Sequence, residues 1–574
     1  MKSHKLLTLL CTLPLVAVAS GCNSTKVDPD AVLPENQRHF RDEEEMNTLR
    51  QVVSGGGMGI ANPAPSTGDT RVLVLPISFT DFPAEEIGMY YNGEGGRKHF
   101  PTGDIPAGTG RGAENAIKDI EKTFFGKPED TYWHSLASYY KASSYGKLNL
   151  NGMVYPEWIP AFTNYDTMAP VTAKEFADKS SAQSLITDTV RKIAKTNRYK
   201  AFKNDKGQQM FQSGQEFLKY FDSDSDGFVD LVEVVYSAPY HAQWNDGGTW
   251  KAINDETFWA YCGYTTASAN LGNPNVGKYV FQSYYTMFES GYLDASEKTV
   301  NWTPQEISDG VAKADAHTII HESGHGLGLA DYYSYDTQSA PQIGACDMMA
   351  LNIGDHNSYS KSILGWTDPV VVKGPTEVTV KSFTETGECV YIPYRGYYDD
   401  GTDIDKKYKN TFNTEYIALE LYNPTGVNAT DSHHKYNGSY PLCPSTNGLK
   451  IYHVDSRLGL FDYSSGSKRF AGYTSSIVST GSNVYVDFAH DNTPSRSLKN
   501  AKGETINLIE YMYKNKKSNP AYLTNDSLYQ QGDVIFDGEH FGDFEFNSGN
   551  AFGYKITVKA LSAESVTLLI EAKK

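Results

Sequence analysis

Residues 321–331 read His321-Glu322-Ser323-Gly324-His325-Gly326-Leu327-Gly328-Leu329-Ala330-Asp331, which fits the pattern H-E-x-x-H-x-x-G-x-x-D. His321 and His325 are four residues apart, so a helix places both imidazoles on one face, at a separation that one metal ion can bridge. Gly328 can adopt a positive φ and turn the chain sharply after the helix. The turn can return Asp331 to the metal. We therefore expect His321, His325 and Asp331 to bind one zinc ion and to leave a fourth position for water.

Several neighbours of this motif are candidates for supporting roles. Glu322 lies one step round the helix, beside the metal rather than on it, which suits a general base for hydrolysis. Tyr333 is a candidate oxyanion stabiliser, with packing or support of the ligands as the alternative. His356 is a rival third ligand or a substrate-pocket residue. Met348 and Met349 are candidates for a Met-containing turn beneath the zinc, although methionines alone are more often core residues.

A second motif lies about a hundred residues upstream. Residues 222–233 fit D-x-D-x-D-G-x-x-x-x-x-E, the pattern of a twelve-residue calcium loop in which glycine supplies the turn at position 6. Closely spaced carboxylates repel one another unless a cation neutralises them. A strand-like run follows the loop, so we expect one structural calcium site rather than a paired sensor. The predicted ligands are Asp222, Asp224, Asp226, the carbonyl of Phe228, Asp230 and Glu233.

Together these motifs make the chain resemble the immune inhibitor A family of bacterial metallopeptidases, which is metzincin-like. The resemblance implies zinc-dependent endopeptidase activity on protein or peptide substrates, and bound calcium. It spans about residues 70–460 and is densest at 315–366. The matching segments are residues 72–81, 139–148, 321–333, 346–349, 354–357, 360–361, 364–366, 415–420 and 448–455.

The N-terminus reads as an export signal. Lys2 and Lys5 precede an apolar run too short to span a membrane, and small residues lead to Cys22. Residues 1–21 therefore form a predicted lipoprotein signal, with Cys22 as the lipidation site and the only membrane anchor. The alternatives are cleavage after Ala19, which would release a secreted protein, and an uncleaved helix. The expected location is the bacterial cell envelope, facing outward, or the medium.

The pattern of the remaining chain predicts its organisation. Residues 22–69 are rich in polar residues, Gly and Pro and read as a tether or linker, with a short pro-segment as the alternative. Residues 70–368 mix helical and strand periods and form the predicted metalloprotease domain. Residues 369–574 show short strand candidates in one or two parts. The predicted fold class is therefore α+β, with a mixed metzincin-like catalytic domain followed by an all-β, sandwich-like domain.

Composition and cysteines add further limits. The chain of 574 residues carries a net charge of −18, which argues against nucleic acid as a partner, and we expect a monomer. Four cysteines remain after Cys11 and Cys22, and export permits two disulfides. Sequence proximity favours Cys262–Cys346 and Cys389–Cys443, with four buried thiols as the alternative.

Two other function classes stay open on the sequence. One is a surface adhesin or calcium-dependent binding protein that keeps a metalloprotease fold without turnover, although a pure scaffold needs no Glu322. The other is a calcium-dependent carbohydrate binder, suggested by the β-rich region and the 40 tyrosines. Carbohydrate binding could coexist with proteolysis.

Overall fold

A computed structural model describes most of the chain between residues 37 and 574. The described residues are 37–39, 50–52, 62–87, 110–131, 133–239, 243–246, 249–253, 255–288, 304–336, 341–393, 415–436, 440–474, 483–514, 522–538, 541 and 544–574. The predicted signal and the predicted lipidation site at Cys22 lie outside them. Across these ranges, no helix has the length and apolarity needed to cross a membrane.

Residues 50–52 are helical, and eleven further α-helices occur in the part of the chain that the structure describes, all before residue 387. They are α1 (Ala113–Phe125), α2 (Leu136–Ser143), α3 (Ala173–Lys179), α4 (Ala182–Lys195), α5 (Gly214–Tyr220), α6 (Asp255–Phe258), α7 (Pro304–Ser308), α8 (His317–Gly326), α9 (Met348–Leu351), α10 (Ser358–Ile363) and α11 (Phe383–Thr386). Apolar residues recur at helical spacing in α1 and α4. In each helix those residues are the buried face.

Eleven strands precede the zinc motif within the described ranges. They are β1 (Gln37–His39), β2 (Gly68–Ser78), β3 (Leu148–Val154), β4 (Ile159–Pro160), β5 (Phe228–Val229), β6 (Leu231–Tyr236), β7 (Gln243–Asp246), β8 (Thr249–Ala252), β9 (Tyr261–Tyr264), β10 (Asn275–Val276) and β11 (Lys278–Ser283). The main sheet has the order β3-β2-β6-β11-β9, with β4 also paired to β2. Its strands are parallel except for β9, which is antiparallel to β11. The two central apolar runs, β2 and β6, are almost wholly buried, as parallel strands covered by helices require.

Twelve further strands follow the motif. They are β12 (Val370–Val372), β13 (Thr376–Lys381), β14 (Cys389–Ile392), β15 (Glu415–Tyr422), β16 (Gly448–Asp455), β17 (Leu458–Asp462), β18 (Arg469–Thr474), β19 (Val484–Phe488), β20 (Ile509–Tyr511), β21 (Val534–Ile535), β22 (Tyr554–Leu561) and β23 (Ser565–Ala572). They form a six-stranded sheet in the order β1-β12-β14-β15-β16-β20, a four-stranded sheet β13-β23-β22-β21, and a three-stranded sheet β18-β17-β19. The fold is thus mixed α and β with several sheets.

Strand β15 explains how the two regions are joined. All eight of its residues are buried, and alternate residues belong to different cores. Ile417 and Leu419 join the apolar cluster shared with the four-stranded sheet. Tyr416 and Ala418 join the cluster that holds β2, β6 and α8. The sheets therefore change near residue 369, but the region after 369 is packed on both sides, and residues 33–574 form one compact unit.

Parts of the segment predicted to be a tether or linker, residues 22–69, have regular structure or packing contacts, namely residues 37–39, 50–52 and 62–69. β1 extends the six-stranded sheet by pairing antiparallel with β12. Val52 is fully buried, and the backbone N–H of Ala64 donates to the carbonyl of Gly326 at 2.9 Å. Ser66 Oγ donates to the carbonyl of Leu364 at 2.9 Å. The Gly- and Pro-rich composition correctly excluded regular structure over residues 62–66, but packing fixes those residues in place.

Candidate metal centre

Helix α8 brings the three predicted zinc ligands together. His321 and His325 project from one face, and the Nε2 atoms lie 3.1 and 3.2 Å from Oδ1 of Asp331. Ligand atoms of the three residues all lie within 4.8 Å of one another. Two imidazoles and one carboxylate are a donor set that zinc accepts in tetrahedral sites.

The return of Asp331 depends on Gly328. Its φ is +96°, in the left-handed region that glycine adopts without strain. A side chain there would also collide with Arg50, because an added Cβ would lie 2.9 Å from the Arg50 Cβ. The Arg50 guanidinium donates to the carbonyls of Leu327, at 2.9 Å, and Ala64. The N-terminal segment thus packs directly on the turn that carries the predicted third ligand.

Hydrogen bonds fix the orientation of both imidazoles. His321 Nδ1 lies 2.7 Å from the carbonyl of Met348, and His325 Nδ1 lies 2.8 Å from the carbonyl of Leu329. A carbonyl can only accept, so each Nδ1 carries the proton and each Nε2 is the atom left to bind a metal. Imidazoles held in this way fit a zinc ion.

The predicted Met-turn residues lie directly under α8. Both methionines are fully buried, and a Cβ added at Gly324 would lie 2.6 Å from Sδ of Met349. Gly324 therefore permits the close approach of α8 and the short helix α9, in which both methionines lie. Met348 supplies its carbonyl to His321, a contact that the sequence did not predict.

His325 and Asp331 shift each other's pKa in opposite directions. Burial alone would lower the pKa of His325, but the adjacent Asp331 carboxylate outweighs it and raises that pKa to about 9. Burial alone would raise the pKa of Asp331, whereas His325 and His321 lower it far below its usual value. Asp331 is therefore an anion at any ordinary pH.

Glu322 lies on α8 next to this group. Its side chain is largely buried, and the backbone N–H of Cys262 in strand β9 donates to the carboxylate. Burial raises the pKa of Glu322, and the neighbouring His321 and His325 oppose that rise. A carboxyl group so placed is separate from the three converging ligand atoms and free for proton transfer.

Two further candidates fall in different surroundings. The ring of Tyr333 stacks over His321, with centroids 6.3 Å apart. His356 is only 1% exposed and is not among the three residues whose ligand atoms converge. It packs between Tyr140 and Trp366, with ring centroids 6.0 and 5.8 Å away. His356 was predicted to be a third ligand or a substrate-pocket residue. Both predictions are wrong, because His356 is a core residue.

The predicted calcium loop brings three carboxylates together. Ligand atoms of Asp222, Asp224 and Asp226 lie within 4.8 Å of one another. Backbone N–H groups of Asp226 and Gly227 donate to the Asp222 carboxylate at 3.0 and 3.2 Å, and Gly227 has φ +90°. Burial first, and then Asp226, raises the pKa of Asp222 and of Asp224, as expected for carboxylates that face one another. Phe228 follows in β5, where it pairs with Asn275.

The last two predicted calcium ligands are corrected. Asp230 accepts from the backbone N–H of Ser223 at 2.8 Å and of Arg71 at 2.7 Å, and it is not part of the converging group. Glu233 lies in β6 and is fully buried beneath α8. There it accepts from Ser323 Oγ at 2.7 Å and from Gln282 Nε2 at 3.1 Å, and burial raises its pKa to about 8. A strand follows the loop instead of a helix, and it carries Glu233 away from the aspartates.

The predicted disulfide pairing is wrong. Cys346, beside the Met-turn, is bonded to Cys443, which is 97 residues away in sequence. Cys262 and Cys389 are free thiols. Cys443 lies between β15 and β16 of the six-stranded sheet, and both cysteines belong to the apolar cluster that also contains residues of α8. Proximity in sequence could not indicate that pairing.

Sequence reasoning also missed two residues that touch the centre. Tyr335 donates its hydroxyl proton to Oδ2 of Asp331, and Arg50 packs on the Gly328 turn. Tyr335 is only four residues from Asp331 in sequence, so their contact could have been predicted. Arg50 is 277 residues from Leu327, and no local pattern predicts that contact. No protein-family model matches the chain, and no curated protein is significantly similar to it.

Proposed function

We propose that this protein is an exported zinc-dependent endopeptidase of the metzincin-like type. One observation carries the proposal: two imidazole Nε2 atoms and one carboxylate oxygen converge within 4.8 Å, beside a buried glutamate that binds none of them. Three protein ligands with an adjacent acid are the composition of catalytic rather than structural zinc sites. The similarity of the motif segments to the immune inhibitor A family supports the same conclusion.

The residues divide the chemistry between them. His321, His325 and Asp331 would hold the zinc ion, which when bound would supply Lewis acidity for water and for the scissile carbonyl. Glu322 accepts the proton from the attacking water and delivers it to the leaving amine. The Cys262 N–H orients the Glu322 carboxylate. Tyr333, stacked on His321, is a candidate hydrogen-bond donor to the developing oxyanion.

The proposal includes a structural calcium ion at Asp222, Asp224 and Asp226. Burial first, and then the neighbouring Asp226, raises the pKa of Asp222 and Asp224, and a divalent cation would favour the charged form of both carboxylates. Asn62, from the N-terminal segment, donates to Oδ2 of Asp226 at 3.0 Å. The calcium loop therefore supports the N-terminal segment that packs on the Gly328 turn.

The remaining parts of the proposal come from the sequence. The protein is a monomer that acts on proteins or peptides, and a lipid at Cys22 holds it on the outer face of the cell envelope. An adhesin without turnover is the competing function, and the intact Glu322 disfavours it.

The test is hydrolysis of casein or gelatin by the purified protein, measured with and without a zinc chelator. We expect cleavage that the chelator abolishes and that added zinc restores. Stoichiometric zinc with no cleavage of any protein would favour the adhesin, and absence of zinc would contradict the metal site itself.

A further inference from the structure

The two oxygens of the Asp331 carboxylate have different partners. Oδ1 faces the Nε2 atoms of His321 and His325 at 3.1 and 3.2 Å. Oδ2 accepts the hydroxyl proton of Tyr335. An oxygen that accepts such a bond is a weaker metal ligand, so the carboxylate offers a single oxygen to the centre. Tyr335 thereby sets both the rotation of Asp331 and the number of oxygens it can supply.

Tyr335 is itself held from the other half of the chain. Its backbone N–H donates to Oγ1 of Thr493 at 3.2 Å, and the guanidinium of Arg496 lies over its ring, 4.2 Å from the centroid. Tyr335 is about half exposed, so the segment containing Thr493 and Arg496 supplies much of its packing. Cation–π contact suits a tyrosine that must keep its hydroxyl directed at a neighbouring group.

Tyr332 and Asp336, in the same loop as Tyr335, are also hydrogen-bonded to residues 492–495. Asn492 donates to the carbonyl of Tyr332 at 2.9 Å and also to the carbonyl of Ile509 in β20, at 2.9 Å. Ser495 donates through both its N–H and its hydroxyl to the carboxylate of Asp336, each at 2.6 Å. Residues 332–336 are therefore fastened at three points to residues 492–495, and Asn492 is in turn fastened to the six-stranded sheet.

We propose that Tyr335 is a positioning residue for the third metal ligand, and that residues 492–496 complete the metal centre by anchoring the loop that carries it. The inference rests on the proposed zinc site. It assigns the β-rich region after residue 369 a part in metal binding, a role distinct from an accessory domain.

The chain offers a matched control. Tyr473 is also about half exposed and also lies under a guanidinium, that of Arg457, 4.5 Å from its ring centroid. It has no contact with Asp331 among those described. Each of Tyr335→Phe and Tyr473→Phe removes one tyrosine hydroxyl, and that of Tyr473 lies 3.5 Å from Nε2 of His490, so Tyr473→Phe reports the effect of losing such a hydroxyl away from Asp331.

Zinc affinity is measured by chelator competition with zinc alone, and the cobalt(II) form is examined by visible absorption, which reports ligand number. We expect Tyr335→Phe to lower zinc affinity by about 10–100-fold, the range for loss of a partner that orients a ligand. We also expect its cobalt spectrum to change, because Oδ2 becomes free to coordinate. Tyr473→Phe should match wild type in both measurements.

A second variant acts at a distance. Thr493→Val removes the anchor of the Tyr335 backbone without touching the ligand, and we expect a smaller loss of affinity in the same direction. If wild type binds zinc and both loop variants keep its affinity and cobalt spectrum, the positioning role is wrong and the protease proposal stands. If wild type binds no zinc, both are overturned.

Discussion

His317, at the start of α8, gives the sharpest test of how the two regions are held together. Its ring is fully buried between Trp133 and Tyr436, with centroids 4.0 and 4.3 Å away. Nδ1 lies 2.8 Å from Asp315, and Nε2 lies 3.3 Å from Asp431 in the region after residue 369. Burial alone would lower the pKa of His317, but the two carboxylates outweigh it and raise the pKa to about 9.

Because the pKa of His317 is raised in the folded state, its contribution to protein stability must decrease as pH rises. A group whose pKa is higher in the folded state stabilises that state fully below its unfolded value of 6.5 and loses the effect as pH rises through about 9. The difference between these pKa values corresponds to roughly 3 kcal/mol of stability at neutral pH. His317→Gln should cost about 3–5 kcal/mol, because it leaves Asp315 and Asp431 buried without a cation.

The assay is urea unfolding of wild type and His317→Gln between pH 6 and 10. His433→Gln is the control, since His433 is an exposed histidine in the same loop as Asp431. We expect the difference in the free energy of unfolding between wild type and His317→Gln to be largest near pH 6 and to decrease as pH approaches 10. A gap below about 1 kcal/mol at pH 6, or one that widens with pH, would refute a charged His317.

Four further predictions concern the site and the chain's beginning. Glu322→Ala should keep zinc and the fold but lower turnover by about 10²–10⁴-fold, and near-normal turnover would reject the mechanism. Asp331→Ala should lower zinc occupancy as well as rate; unchanged metal content on titration would remove Asp331 from the ligand set. Cys22→Ala should move the protein from the membrane fraction to the medium, unless wild type is already soluble with an unmodified N-terminus. A chain starting at residue 70 should unfold at least about 1.5–3 kcal/mol more easily than the longer chain, because it lacks the Arg50 bonds to the α8 terminus and the contacts of Val52, Ala64 and Ser66; equal urea midpoints would show that the segment contributes nothing.

The local part of the candidate site was predictable from the sequence. Helical spacing placed His321 and His325 on one face, and the positive φ that Gly328 can adopt allowed Asp331 to return. Both properties depend on a few neighbouring residues. The same is true of the three aspartates before Gly227, which a tight turn brings together whatever follows.

Prediction failed where distant segments meet. Glu233 fits the twelfth position of a calcium loop, but the β-branched run around it forms a strand, and strand geometry directs it under α8. The Cys346–Cys443 bond depends on how the six-stranded sheet packs, which no spacing encodes. One signal was overlooked: β15 reads Glu-Tyr-Ile-Ala-Leu-Glu-Leu-Tyr, with apolar residues on both faces, as a strand buried between two cores requires.

Residues 328–336, which carry the predicted third ligand Asp331, are contacted by segments that are distant in sequence. Arg50 packs on Gly328 from the N-terminal side, and residues 492–495 fasten residues 332–336 from the C-terminal side. Free, such a glycine-containing turn would lose about 1–2 kcal/mol of conformational entropy per residue on closing around a metal. In the whole chain, folding orders this turn, so the conformational entropy is lost on folding and not on metal binding. We therefore expect a fragment limited to residues 70–368 to keep all three proposed zinc ligands and yet to bind zinc more weakly than the longer chain, because it lacks residues 50 and 492–495.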